Sequence, residues 1–189
     1  MDIPVINTDR LILTLPGEND AARMARYAME NKDHLARWES LRDDEFFSDS
    51  HWVKQIADWR AEFQNDKSAR LILLDRVKPE SDVLGHLGFS SIIRGPFHAC
   101  YLGYSLDHRA VGKGLMFEAL TAAIDFAFTE LKLHRIMANY MPINVRSGNL
   151  LRRLNFVVEG YARDYLRIAG LWEDHIMTSL TSPRVESAE

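Results

Sequence analysis

The stretch from Leu115 to Leu131 constrains the fold of this chain more than any other. Its pattern is helical, and it is apolar on most of its circumference: Met116, Leu120, Ala123 and Ala127 make one stripe, and Phe117, Ile124, Phe128 and Leu131 make another. A helix greasy on two sides has to be buried by a sheet and by neighbouring elements. The rest of the chain must therefore supply that sheet. At 189 residues, with 47% hydrophobic and 26% charged, it has the length and composition for about one globular domain.

Strands flank the helix on both sides in sequence. Arg10–Leu15 places Leu11, Leu13 and Leu15 on one face at period two. Pro16-Gly17 ends it, and Asn19–Glu30 reads as helix. Residues 32–50 are polar and irregular but hold Trp38, Leu41, Phe46 and Phe47, as a functional loop or a core-pinned connection would. Ser50 is a candidate cap for a second helix, in which Trp52, Ile56, Trp59 and Phe63 form an amphipathic stripe. Ala69–Leu74 and Val83–Ile93 form a hairpin across Lys78-Pro79-Glu80-Ser81-Asp82, and Ala99–Leu106 follows after Arg94-Gly95-Pro96. Beyond the apolar helix come a strand at Arg135–Met141, a short helix at Asn144–Asn155, an extended arm at Phe156–Ile168 and a last strand at Leu171–Leu180. The sum is α/β in one piece, about seven strands and about four helices, with an ordered core over about 8–181 and a polar tail over 182–189.

Charge and cysteine content narrow the function. The net charge of −4 gives no general attraction to nucleic acid or anionic membrane. Cys100 is the only cysteine, which excludes an internal disulfide or a cysteine-built zinc site, and in an apolar strand it reads as a small buried hydrophobe. None of the seven histidines falls in a metal-binding His-x-x-x-His or His-Glu-x-x-His pattern, and no Gly-x-Ser-x-Gly elbow is present. No apolar run reaches the ~20 residues of a membrane span, and the amino terminus lacks a signal-peptide pattern. A cytoplasmic location is the expectation.

Chemistry concentrates at the junction before the apolar helix, Arg109-Ala110-Val111-Gly112-Lys113-Gly114-Leu115. Two glycines one residue apart allow close backbone approach to a ligand. The first N–H groups of the helix, with its positive dipole end, then suit an anion such as phosphate, and Arg109 and Lys113 add charge. The segment is neither a P-loop nor a dinucleotide fingerprint; a ligand-free glycine turn is the alternative.

This Arg-x-x-Gly-x-Gly loop, following Gly103-Tyr104-Ser105-Leu106, resembles the acetyl-CoA loop of the GNAT superfamily of N-acetyltransferases. A second superfamily signature is matched by Asn144-Val145-Arg146-Ser147-Gly148-Asn149-Leu150, followed by Leu154-Asn155-Phe156. The resemblance spans nearly the whole chain, from Thr8-Asp9-Arg10-Leu11 onward. Within it, Arg94–Tyr104, Gly114–Ala123 and His134–Pro142 are similar to the RimJ-type branch, the ribosomal-protein-alanine N-acetyltransferases.

The resemblance implies a mixed, mostly antiparallel sheet with a central splay. It implies acetyl-CoA as cofactor, held by Tyr104, Ser105 and Leu106 on the strand and by Arg109, Val111, Gly112, Lys113, Gly114 and Leu115 in the loop. Asn139, Asn144, Ser147 and Leu150 complete the set. It also implies transfer to the N-terminal alanine of a small-subunit ribosomal protein. Leu151 stands where many members carry a proton-donating tyrosine, and Ser147 is the substitute acid the branch suggests. Tyr101 stands where many carry a carboxylate base, so Tyr101 and Glu39 are base candidates beside Asp174 and His175. An α-amine of pKa ~7.7–8.0 is already roughly a tenth to a sixth neutral at pH 7, against about 0.04% for a lysine at ~10.4, so a weak base suffices. The acceptor is expected between Trp38 and Glu39 on one side and Tyr161, Asp174 and His175 on the other. An acidic rim of Asp43, Asp44, Glu45 and Asp164 suits a basic peptide. Alternatives are another ribosomal protein or a small-molecule amine as acceptor, or a ribosome-assembly factor that acetylates incidentally. No metal, DNA or membrane partner is expected.

Overall fold

The run Leu71-Ile72-Leu73-Leu74 is apolar at every position, so both faces of the sheet around it need cover, and the chain supplies helices to both. The computed structural model describes residues 2–183; residues 184–189 of the expected tail lie outside the described residues. Along the chain run β1 (Val5–Asn7), β2 (Leu11–Thr14), α1 (Ala21–Glu30), α2 (Lys32–Leu35) and α3 (Asp49–Gln64). Then come β3 (Ala69–Asp75), β4 (Gly85–Ile93), β5 (Ala99–Leu106), α4 (Leu115–Thr129), β6 (Arg135–Met137), α5 (Val145–Arg153), β7 (Val157–Ile168) and β8 (Leu171–Thr181). Short 3-10 turns occupy Glu18–Asp20, Asp44–Phe47 and His108–Ala110.

One eight-stranded sheet has the order β1-β2-β3-β4-β5-β6-β8-β7. Its neighbours are antiparallel except for β5 and β6, which run parallel. On one face Leu11, Leu13, Leu71, Leu73, Leu87 and Phe89 pack with Leu120, Ala123 and Ala127 of α4. On the other Ile72 and Leu74 pack with Met24 of α1 and with Trp52, Ile56 and Trp59 of α3. Each large side chain so buried stabilises the fold by ~1.5–3 kcal/mol against exposure.

Four expectations are corrected. The sheet has eight strands, not about seven, because three-residue β1 pairs with β2 through Val5↔Thr14 and Asn7↔Ile12. Among the described residues there are five helices, not about four, because single-turn α2 forms within the irregular 32–50 segment. Ser48, not Ser50, caps α3: its hydroxyl accepts from the His51 N–H at 3.2 Å. The strand expected over 135–141 stops at Met137.

That early stop makes the splay. β6 pairs with β5 only at Ala99↔Arg135, Cys100↔Ile136 and Tyr101↔Met137. Thereafter the chain follows β8, with the Ala138 N–H donating to the Thr178 carbonyl at 3.0 Å and Tyr140 bridging Ile176. β5 continues beside β4 as far as Leu106↔Gly85. From Leu102 onward one edge of β5 therefore faces an opening in the middle of the sheet.

Candidate functional site

A cleft of about 680 Å³ occupies the splay. Tyr104, Ser105 and Leu106 of β5 line it, as do Val111, Gly112, Gly114 and Leu115 of the following loop. Asn139, Asn144, Ser147 and Leu150 line the opposite wall. Gly112 and Gly114 have φ of 81° and 76°, a conformation L side chains rarely adopt, and a Cβ on Gly112 would meet nothing within 4 Å. α4 has no side-chain cap at Gly114. Its first-turn N–H groups and positive dipole end thus stand beside the cleft without a competing side chain.

The start of α4 is held from behind. Glu118 Oε1 accepts from the Thr8 hydroxyl at 2.6 Å and from the Arg10 N–H at 2.8 Å, and its Oε2 accepts from Arg10 Nε at 2.6 Å. Arg10 also donates to the Lys113 carbonyl at 2.9 Å, between the two loop glycines. Burial pushes the Glu118 carboxyl up, but these donors outweigh it and the group lies below its ordinary value.

Arg109 and Lys113, expected at the cofactor, are not among the cleft-lining residues. The Arg109 guanidinium is committed to Asp107, at 2.9 Å from Nε and 2.8 Å from an Nη, and to Glu30 at 2.7 Å. Buried Asp107 also accepts from Asn31 at 3.1 Å. Burial raises its carboxyl, but the bonds from Arg109 and Asn31 prevail and hold it at about 2. The sequence signal was the acid two residues ahead of the arginine, within reach of its side chain across a 3-10 turn.

Ser147 sits in the first turn of α5, where the Asn144 side chain caps the helix by accepting from the Ser147 N–H at 3.1 Å. Its hydroxyl lies 2.7 Å from the Tyr104 hydroxyl. Burial raises Tyr104 to about 12, with the Ser147 contact opposing, so the phenol is protonated at neutral pH. Tyr104 was expected only to line the cofactor channel. Leu151 is 1% exposed and belongs to the core.

On the α1–α3 face of the sheet, Trp38, Glu39 and His175 line the cleft. Tyr101, Tyr161 and Asp174 do not. Tyr101 shares a hydrogen bond with Tyr165, which also accepts from Asn139 at 3.2 Å. Tyr161 is exposed on β7 and donates to Asp174, which accepts the Asp164 N–H at 2.8 Å; the pair braces the β7–β8 ribbon. The 36–42 segment docks on that ribbon, with the Ala169 N–H donating to the Glu39 carbonyl at 2.9 Å.

Beneath this segment lies a second cavity of about 420 Å³, walled by Tyr27, Phe46, Phe47, Trp52 and Trp59. Glu39, Arg42, Arg70 and His86 line both spaces and connect them. Burial raises Glu39, with Arg42 at 3.5 Å opposing. Burial also lowers His86 to about 4, helped by Arg70 and Arg42, so its imidazole is neutral at pH 7. Neither Arg70 nor His86 was singled out from sequence. Their signal was parity, since both occupy strand positions opposite in phase to Leu71, Leu73 and Leu87.

Among known proteins, the family model described as the Acetyltransferase (GNAT) domain matches residues 10–157. The [Ribosomal protein uS5]-alanine N-acetyltransferase of Escherichia coli (strain K12) is 49% identical over 179 residues, covering 94% of this chain and 91% of that protein. The crystal structure of ribosomal-protein-S5-alanine acetyltransferase from Vibrio fischeri superimposes with a TM-score of 0.90 at 37% identity, covering 95% of this chain and 97% of that one. Mycobacterium smegmatis RimJ in complex with CoA-disulfide shares the fold, with a TM-score of 0.86 at 24% identity, covering 96% of this chain and 89% of that one.

Proposed function

Since this chain belongs to the GNAT acetyltransferase family and uses acetyl-CoA, we propose that it acetylates the N-terminal alanine of the small-subunit ribosomal protein uS5. The observation carrying this reading is the near full-length 49% identity to an enzyme named for that reaction. The splay and its cleft supply a site with fitting chemistry. Acetyl-CoA brings an activated thioester; the protein must bind it, orient it and manage two protons.

Binding falls to backbone. The unpaired edge of β5 from Leu102 to Leu106 offers N–H and C=O groups to the amides of the pantetheine arm. The N–H groups around Gly112–Leu115 receive the pyrophosphate. Arg109 acts indirectly, by tying the loop to Asp107, and Lys113 contributes charge at the rim.

Proton transfer divides between the two faces of the sheet. On the α4–α5 face, Ser147 donates to the departing thiolate, and Tyr104 replaces that proton through the 2.7 Å contact. On the α1–α3 face the attacking α-amine needs only a weak base, and Glu39, lifted by burial, stands in the cleft with its carboxylate pKa moved toward that of the amine. Tyr101 serves the acceptor side through Tyr165 rather than by contact.

The test is mass spectrometry of acetyl transfer to a peptide with a free N-terminal alanine, beside the same peptide blocked at its amino terminus but carrying a lysine. Acetylation of the first alone is the expected result. Transfer to neither, with acetyl-CoA bound, would overturn this reading in favour of another acceptor.

A further inference from the structure

One row of the sheet on the α1–α3 face is stripped of side chains where it meets the splay. Gly88 on β4 and Gly103 on β5 are register partners, and Arg70 on β3 is the partner of Gly88. The arginine lies across the first glycine: a Cβ built on Gly88 would meet Arg70 Nη1 at 3.3 Å and Cδ at 3.4 Å. A Cβ on Gly103 would meet nothing within 4 Å. Beyond the guanidinium, the row is therefore open space up to the free edge of β5, where acetyl transfer takes place.

The guanidinium carries a donor that its surroundings leave unmet. It sits 5.6 Å from the Trp59 ring, and Arg70 Nε is buried without a hydrogen-bond partner among the described residues. Glu62 is the carboxylate that acts on it electrostatically, but Glu62 accepts from the Ser68 hydroxyl at 2.6 Å. The other carboxylate of this wall, Glu39, is paired with Arg42. A desolvated cation short of acceptors costs stability. A planar fork of donors aimed into a cavity suits a carboxylate, which it binds through two parallel bonds.

We propose that Arg70 is a specificity-determining residue that binds an acidic side chain within the first few positions after the acceptor's amino terminus. The inference rests on the α-amine acetyltransferase reading and adds a sequence preference to it. The acceptor then has a defined order of charge: a small first residue at the splay, a carboxylate on Arg70, and basic residues farther out against the rim of Asp43, Asp44 and Glu45.

The test uses peptides that begin with free alanine and carry one glutamate at the second, third or fourth position, each beside its glutamine counterpart. At one position the glutamate peptide should show kcat/KM higher by about tenfold or more, mostly through acceptor KM, as expected of a charge-assisted bond. Arg70→Gln should bring that ratio close to one and Arg70→Lys should retain part of it. Acetyl-CoA binding by calorimetry reports that each variant is folded. Equal acetylation of glutamate and glutamine peptides at all three positions overturns the inference and leaves the α-amine reading standing, as does a ratio that survives Arg70→Gln. Failure to acetylate any of the peptides overturns both.

Discussion

Ser147 and Tyr104 share a hydrogen bond of 2.7 Å, and in the proposed relay the serine donates to sulfur while the phenol resupplies it. Serine alone is a reluctant acid; a phenol raised by burial to about 12 is a better reservoir. Ser147→Ala should therefore lower kcat on the order of 10²-fold, the usual loss when one positioned proton donor is removed, with acetyl-CoA KM within about twofold. Tyr104→Phe should cost less, about tenfold or under, because the serine hydroxyl remains. Steady-state kinetics on both variants checks the order, and a larger loss in Tyr104→Phe would reverse the assignment. Single residues also mark what the sequence leaves unread. Arg109 beside two glycines looks like a phosphate ligand, and its guanidinium also bonds Asp107 and Glu30, partners the motif does not announce. Asn155 behaves as its residue type suggests, taking φ of 65° just past the end of α5.

At the scale of elements, legibility follows the length of the repeating pattern. β5 ends where the alternation of Cys100, Leu102 and Tyr104 ends, and α4 is visible from its stripes alone. β1 is too short to show a period, and the turn at Asp44–Phe47, though capped locally by Asp43 accepting from the Phe46 N–H at 3.0 Å, also relies on contacts no local pattern encodes, such as Lys32 over the Phe47 ring at 4.7 Å. β6 stops at Met137 because its partner, not its sequence, departs. On the proposed mechanism activity turns most directly on α5, which carries Ser147 and Leu150 into the cleft and Leu151 into the core. A Cβ on Gly148 would lie 2.7–2.9 Å from the Tyr140 ring. Gly148→Ala should therefore displace helix or ring, destabilise the fold by about 1–3 kcal/mol and lower kcat by about tenfold or more, because Ser147 moves with the helix. Thermal unfolding and kinetics on the same sample test it, and an unchanged kcat would show that the tyrosine yields instead.

Across the whole molecule, helices on opposite faces of one sheet must keep their relation at the splay, where the sheet itself has come apart. A buried network does this. Asn31, at the end of α1, donates to Asp107 at 3.1 Å and accepts from the His108 N–H at 2.8 Å, while Arg109 joins Asp107 to Glu30. α1 is thereby fastened to the turn that leads into the Gly112–Gly114 loop. Because the Asp107 carboxyl lies at about 2 in the folded protein and at ~3.9 when unfolded, the folded state favours its ionised form. That contribution to stability is fully present above about pH 4 and is lost as pH falls toward 2. Asp107→Asn should cost about 3 kcal/mol at pH 7, since it leaves a buried arrangement of donors without its charge. Melting temperatures across pH should show a constant gap between wild type and variant from pH 7 to about 4. The gap should then narrow as pH approaches 2, where the wild-type carboxylate is itself protonated. A gap unchanged down to pH 2 would mean that hydrogen-bond geometry, not the carboxylate charge, holds the two faces together at the splay.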